Sequence, residues 1–185
     1  MEAPAITRYR RPFFLAPLWL TLLAALVLGA VAFALYRGAS TTVVVLVRAA
    51  EKDPGTIADP PISPEGEERA QRLARAFGDG LGGLGLDSIY VSDDRRAQQT
   101  AAPLAERLHR APVVFAAADA SSTAGRLLRE HGGGTVLVVG GGDTVAQMLR
   151  ALAGTEAAPV TDAAAVMYVV SVPSVGRAHA VRLRF

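Results

Sequence analysis

The chain begins with a long uncharged segment and continues with short apolar runs that alternate with amphipathic segments. Residues 12–36 contain no charged side chain. Because an α-helix rises about 1.5 Å per residue, about twenty residues of such a segment span about 30 Å, the thickness of the hydrocarbon core of a bilayer. The pattern therefore predicts one transmembrane helix over residues 12–36, followed by a folded domain.

The ends of this segment support the membrane interpretation. Trp19 and Tyr36 lie near the two ends, where amphipathic aromatic side chains favour the membrane interface. Three arginines precede the segment and one follows it, so the positive-inside rule puts the N-terminus in the cytoplasm and the domain in the periplasm or outside the cell. The predicted organisation is a cytoplasmic tail, a signal anchor in the inner or plasma membrane, a linker and a domain, at residues 1–11, 12–36, 37–41 and 42–185.

Two alternatives to an uncleaved anchor fit the same segment. A signal peptide could be cleaved at Ala32-Phe33-Ala34, but the apolar run is longer than the roughly 7–15 residues that such peptides use. A buried core helix is the second alternative. The length of the run favours the membrane anchor over both.

Within the domain, apolar runs of four to eight residues alternate with amphipathic segments of ten to fifteen residues. This alternation predicts a three-layer α/β/α domain with a mainly parallel sheet, to which the last two strands add an antiparallel edge. Ser63 is expected to cap the first helix of the domain, and Ser121 or Ser122 the third. The predicted strands are 42–47, 88–91, 112–115, 135–139, 165–172 and 178–185, and the predicted helices are 64–77, 95–109, 121–131 and 143–152.

Charge and composition exclude several classes of function. Residues 1–37 carry four arginines and one glutamate, or +3, whereas residues 38–185 carry 15 basic and 16 acidic residues, or −1. The domain is therefore nearly neutral, and no nucleic-acid partner is predicted. The chain has no cysteine, which excludes disulfides, a thiol nucleophile and zinc-finger chemistry. No metal and no cofactor are predicted.

The loops after three predicted strands carry recognisable motifs, and a fourth motif opens the first helix of the domain. In such sheets the carboxyl ends of the strands form the ligand-binding edge, so the loops beginning at Arg48, Ser92 and Gly140 are expected to converge. The four motifs are Arg48-Ala49-Ala50-Glu51, Ile62-Ser63-Pro64-Glu65-Gly66, the segment from Ser92 to Ala101, and the segment from Val138 to Val145.

These motifs resemble, in order, four motifs of the histidine phosphatase superfamily. The family patterns are Arg-His-Gly/Ala-Glu, Leu/Ile-Ser/Thr-x-x-Gly, Ser-x-x-x-Arg-Ala-x-Gln-Thr-Ala and Val-Gly-His-Ser-Asn-Thr-Val. The resemblance covers residues 42–185 and is strongest to short bacterial members related to phosphohistidine phosphatases. It implies a phosphoglycerate mutase-like fold and a phosphoric monoester hydrolase ancestry.

The resemblance also implies that both catalytic histidines are missing. Ala49 stands where the family has its nucleophilic histidine, and Gly141 stands where it has the second histidine. No intact catalytic residue is predicted; Asp119 is a weak candidate for the proton donor, and Glu51 a weaker one. His109, His131 and His179 lie in none of the motif loops and are expected to have no catalytic role.

The arginines that bind phosphate in the family are retained. The resemblance assigns Arg48 and Arg96 to the phosphate clamp, and a planar guanidinium suits this task because it donates two parallel hydrogen bonds to phosphate oxygens. The backbone N–H groups of Gly141 and Gly142, at a helix N-terminus, would add to the same anion site. Asp143 opposes an anion there.

The sequence therefore predicts a pseudophosphatase that binds a phosphorylated small molecule, a phosphoprotein or another anionic or protein partner without turnover. The alternatives are a purely structural or partner-docking module and a phosphatase with residual or altered activity. A dinucleotide-binding domain is disfavoured, since Val145 stands where the Gly-x-Gly-x-x-Gly fingerprint needs glycine. An engineered inactivation would account for Ala49 but not for Gly141, which favours natural divergence.

Overall fold

The computed structural model describes residues 18–38, 40–55, 58–78, 85–154 and 166–184. The chain divides into two compact units, Met1–Gly38 and Ala39–Phe185. The first unit contains helix α1 (Leu18–Gly38), and the side chains described in it, at residues 19–33, are all exposed. The predicted transmembrane span is not confirmed, because no helix in the described ranges is long and apolar enough to cross a membrane. The predicted tail (1–11) and the start of the span lie outside the described residues.

The second unit contains the remaining elements, and their bounds agree with the predicted ones to within one or two residues. The strands are β1 (Thr41–Arg48), β2 (Ser88–Ser92), β3 (Val113–Phe115), β4 (Thr135–Gly140), β5 (Val166–Pro173) and β6 (His179–Arg184). The helices are α2 (Pro64–Gly78), α3 (Arg95–Leu108), α4 (Ala120–Glu130) and α5 (Gly142–Ala153).

The described strands form one mixed sheet in the order β3-β2-β4-β1-β5-β6. The pairings among β3, β2, β4 and β1 are parallel, whereas β5 runs antiparallel to β1 and to β6. The prediction of a mainly parallel sheet with an antiparallel closing hairpin is confirmed. As a result, the carboxyl ends of β2, β4 and β1 lie side by side at one edge.

The core lies on both faces of this sheet. Alternate residues of β1 point to opposite faces, so that Val44 and Leu46 pack with α4 and α5, and Val45 and Val47 pack with α2 and α3. A strand that is buried on both faces is apolar throughout, which explains the β-branched run in β1. The predicted three-layer α/β/α architecture is confirmed.

The helix starts in this unit were predicted with mixed success. The Ser63 hydroxyl accepts a hydrogen bond from the Gly66 N–H at 3.2 Å, so the predicted cap of α2 is confirmed. The predicted cap of α4 at Ser121 or Ser122 is wrong, because a 3-10 turn (Ala117–Asp119) leads directly into the helix. The Ser122 hydroxyl instead donates to the Asp119 carbonyl at 2.9 Å.

Gly66 allows α2 to approach the loop after β1, which predicts a local packing cost for a larger residue. A methyl group on Gly66 would lie 2.7 Å from the Glu51 carbonyl oxygen, which is backbone and already accepts the Ser63 N–H at 2.8 Å. We expect Gly66→Ala to lower the free energy of unfolding by about 1–3 kcal/mol, measured by urea denaturation.

Gly125 in α4 provides a matched helical control. A methyl group there would meet only the flexible end of Arg129, at 3.4 Å. Gly125→Ala is therefore expected to stabilise the protein by about 0.5–1 kcal/mol through helix propensity. Equal stabilities of the two variants would contradict the close approach at Gly66.

Candidate anion site

The three motif loops meet at the carboxyl edge of the parallel strands, as the sequence predicted. Arg48, the last residue of β1, is directly opposite Gly140, the last residue of β4. The next N–H along the chain, that of Ala49, donates to the Gly140 carbonyl at 2.8 Å. The first and third motif loops therefore leave the sheet as immediate neighbours.

The Arg48 side chain lies against the N-terminus of α5. An atom placed at the Cβ position of Gly142 would be 3.6 Å from Nε of Arg48 and 3.7 Å from its Cζ. Gly141 precedes α5 as its N-cap and has no side chain to bond the first N–H groups. A helix N-terminus carries unpaired N–H donors and a partial positive charge, so the guanidinium and the helix end offer the same kind of ligand contact: hydrogen bonds to an anion.

Ala49 and Gly141 occupy the two positions of the missing histidines. The Ala49 methyl is buried, at 3% exposure, among the apolar residues between the sheet and α2 and α3. At Gly141, φ is −61°, and a Cβ would meet Asp94 Oδ2 at 3.6 Å and Thr144 Oγ1 at 3.8 Å, which are ordinary contacts. Packing and backbone geometry therefore permit a side chain at position 141.

Gly140 shows the opposite situation. A Cβ on Gly140 would lie 2.9 Å from Cγ2 of Thr144, which is buried in the first turn of α5. Glycine is thus required for packing at 140 but not at 141. The fold therefore does not require glycine at position 141, and the lack of a side chain there changes the chemistry of the site only.

Asp94 adds a carboxylate that the sequence analysis did not assign to the site. Its Oδ2 accepts a hydrogen bond from the buried Ser92 hydroxyl at 2.8 Å and faces the Gly141 backbone. The residue stands inside the second motif, but the sequence alone did not indicate that its side chain turns towards the third loop. It places a negative charge beside the Gly141 backbone.

Arg96 lies at the same edge, in the first turn of α3, and is half-buried. Its carbonyl accepts the Thr100 hydroxyl at 2.7 Å, and Thr100 Oγ1 in turn accepts the Ala50 N–H at 2.9 Å. These two bonds tie α3 to the loop after β1. The role of the Arg96 guanidinium in the clamp stays a prediction.

Asp119, the weak candidate for the proton donor, is exposed at the end of the 3-10 turn after β3. Strand β2 separates β3 from β4 in the sheet. No described contact links Asp119 to Arg48 or to Gly141. Its role as proton donor stays a prediction.

Arg69 in α2 is a site residue that the sequence analysis missed. Its Nη1 donates to Glu51 Oε1 at 2.6 Å, and its Nη2 donates to the Arg48 and Ala49 carbonyls at 3.3 and 3.2 Å. Glu51, the weaker acid candidate, is thus held in an ion pair. The sequence feature that could have indicated Arg69 is its position on the buried face of α2, at helical spacing from Gly66, Ala70, Leu73 and Phe77.

Burial lowers the pKa of the Arg69 guanidinium from its usual value. Desolvation is the largest cause; the Glu51 carboxylate raises this pKa, and the positive charges of Arg48 and Arg72 lower it. The Glu51 carboxylate therefore offsets part of the repulsion between the positive charges of Arg69 and Arg48.

The three histidines lie at the amino ends of the parallel strands, at the opposite edge from the site. His109 ends α3, and His131 ends α4, where its ring contacts the Tyr90 hydroxyl at 3.2 Å. His179 pairs with Ser171, which pairs in turn with Val43 near the start of β1. The prediction that no histidine lies in a motif loop is confirmed, and none replaces the missing imidazoles.

Comparison with known proteins agrees with this geometry. A family model described as histidine phosphatase superfamily (branch 1) matches residues 44–119, which include the first two motif loops and Arg48 and Arg96. The match ends before the loop with Gly141. No curated protein matches the chain in sequence.

Several solved structures share the fold. The protein histidine phosphatase SixA complexed with tungstate is 17% identical, with a TM-score of 0.63, over 77% of this chain and 96% of that chain. The putative phosphohistidine phosphatase SixA from Agrobacterium tumefaciens is 20% identical, with a TM-score of 0.60, over 77% of this chain and 98% of that chain. A mycobacterial glucosyl-3-phosphoglycerate phosphatase is 18% identical, with a TM-score of 0.59, over 76% and 97% of the two chains.

At these identities the solved structures establish the fold, and the family model matches the part of the domain that carries the first two motif loops. The three-layer domain, the converging loops and the arginine after β1 agree with both the shared fold and the family match. Residues 44–119 match the histidine phosphatase superfamily model, and the domain shares its fold with solved SixA structures.

Proposed function

We propose that the domain is a pseudophosphatase that binds a phosphorylated or otherwise anionic ligand at the loops after β1, β2 and β4 without hydrolysing it. One observation carries the proposal: the Arg48 guanidinium lies against the N-terminus of α5, where Gly141 and Gly142 expose the backbone. A charged fork and unpaired helix N–H groups are both donors, and a phosphate offers acceptors in several directions.

The same site lacks what phosphoryl transfer through a covalent intermediate requires. The methyl group of Ala49 carries no lone pair, and Gly141 has no side chain to stabilise the transferring group. Loss of one cooperating catalytic residue commonly costs about 10⁴-fold or more in rate. Two such positions are empty here, which supports binding without turnover.

The acidic side chains near the site limit which anions it accepts. The carboxylate of Asp94 faces Gly141, and Asp143 occupies the first turn of α5. Asp143 is exposed, so water and salt screen its charge. A compact phosphate brings fewer negative charges near these carboxylates than an extended polyanion does, so the site should favour the compact phosphate.

A calorimetric titration of the purified chain with inorganic phosphate, combined with a p-nitrophenyl phosphate assay, tests the proposal. We expect saturable phosphate binding together with hydrolysis no faster than the buffer background. Absence of phosphate binding would refute the ligand-binding function and leave a structural or partner-docking module. The related solved structures include phosphatases, so a phosphatase with residual or altered activity is the second candidate, and turnover in this assay would support it.

We also propose that the uncharged segment of residues 12–36, which begins before α1, inserts in a lipid bilayer and anchors the domain on the outer side. The support is this uncharged sequence and the exposure of large apolar side chains of α1, such as Leu22, Leu26 and Leu28 at 70, 72 and 69%. Large exposed apolar surfaces need a nonpolar partner.

The anchor predicts resistance to alkaline extraction. The full chain is expected to stay with membranes in sodium carbonate, and Leu22→Arg/Leu26→Arg is expected to release it, since each central arginine costs about 2.5–3.5 kcal/mol on insertion. Val175→Arg, at an apolar position of the domain that is 83% exposed, is the control and should remain bound. Extraction of the unmodified chain by carbonate would contradict the anchor.

A further inference from the structure

Arg69 lies beneath the loop that leads from β1 into the anion site. Its side chain is only 2% exposed, and it forms its 2.6 Å ion pair with Glu51, whose side chain is 38% exposed. The charge is therefore buried within the domain, whereas its partner reaches the surface. A buried charge with one partner is expensive to keep in place.

The contacts of the second terminal nitrogen of the guanidinium, Nη2, explain why a charge is buried here. The Nη2 atom donates to the carbonyls of Arg48 and Ala49, the two consecutive peptide oxygens on either side of the position of the missing nucleophile. The N–H groups of Ala49 and Ala50 are bonded to Gly140 and Thr100. The polar backbone groups at this point of the loop are thus hydrogen-bonded to residues of β4, α3 and α2.

Packing alone does not require an arginine at this position. Its neighbours on the buried face of α2 are apolar or small residues such as Ala70 and Leu73. In addition, its Nε and Glu51 Oε2 are buried without a hydrogen-bond partner in the described part of the chain. An apolar side chain would avoid these costs. We therefore assign the guanidinium its function from its planar shape, which lets it bond Glu51 and the two carbonyls at once; a lysine cannot do this.

We propose that Arg69 is the positioning residue of the anion site: its fork fixes the peptide groups after Arg48, so that the Arg48 side chain is directed at the N-terminus of α5. This inference rests on the proposed anion-binding function. Arg69 itself is buried and acts through the loop. Its replacement should therefore weaken anion binding by loosening Arg48 rather than by removing a direct ligand contact.

The experiment compares Arg69→Gln, Arg69→Lys and the control Arg75→Gln, which removes an exposed arginine from the last turn of the same helix. Phosphate affinity is measured by calorimetry, and exchange of the Ala49 and Ala50 amide hydrogens by NMR. We expect Arg69→Gln to weaken phosphate binding about tenfold or more, as loss of a charge-assisted hydrogen bond does, and to accelerate exchange at these two amides more than at Val45 in β1. Arg75→Gln should change both by less than about twofold, as surface substitutions away from such contacts usually do.

Arg69→Lys separates positioning from simple attraction between charges. It keeps the positive charge but cannot hold Glu51 and both carbonyls together, so its affinity should stay well below that of the unmodified chain. Recovery to within about twofold would show that only the charge matters and would overturn the proposal.

The two readouts keep this inference distinct from the proposed function. If the unmodified chain binds no phosphate, the anion-binding function fails, and amide exchange alone still reports whether Arg69 orders the loop. If the unmodified chain binds phosphate and Arg69→Gln binds it equally well with unchanged exchange, the positioning role fails and the anion site stands. Should Arg69→Gln not fold, Arg69→Lys gives the same decision.

Discussion

The double substitution Ala49→His/Gly141→His is expected to raise hydrolysis of p-nitrophenyl phosphate by at least about 100-fold over the unmodified chain. The reason is that the family's chemistry needs an imidazole nucleophile and a stabilising group, each of which contributes several powers of ten. The scaffold retains Arg48 beside the α5 N-terminus. At position 141 the nearest atoms leave room for a side chain, and an imidazole there would also meet the Asp94 carboxylate.

Two controls decide whether such a gain comes from this site. Ala49→Gln/Gly141→Gln adds polar side chains of similar size without a nucleophile and should stay at background. Adding Arg48→Ala to the histidine pair should remove most of the gain. If the unmodified chain already matches the histidine pair in steady-state rate, the domain is an active phosphatase and the pseudophosphatase proposal is wrong.

The sequence was sufficient to predict the elements and the layers because each rests on local patterns. The β-branched run of β1 and the turn residues around α2 determine element type and bounds nearly by themselves. The start of α4 was missed because a 3-10 turn passes into the helix at Ala120, so the serines that looked like caps are inside it. Such continuity depends on backbone angles that the residue types there do not specify.

The site was predicted less completely than the fold, since contacts between distant segments decide it. Motif matching assigned Arg48 and Arg96 by position, and the structure brings the Arg48 guanidinium to Gly142. Arg69 contacts Glu51 across 18 residues of chain, and Asp94 faces Gly141 from another loop. The Asp94 contact follows from β2 and β4 being neighbours in the sheet, and the Arg69 contact follows from the packing of α2 on the loop after β1. No local pattern encodes either arrangement.

Arg48→Ala is expected to weaken phosphate binding by at least about tenfold, because a hydrogen bond to a charged group contributes about 1.5–3 kcal/mol. The matched control is Arg95→Ala, which removes an exposed arginine from the same edge of the sheet. The Arg95 backbone N–H, which bonds the Asp59 carboxylate, is unaffected by that change. Calorimetry at two salt concentrations separates the two roles: a distant charge acts only through a screened field, so any effect of Arg95→Ala should fade in high salt, whereas the Arg48→Ala deficit should persist. Equal deficits for the two variants would mean that the edge attracts phosphate only through its overall charge.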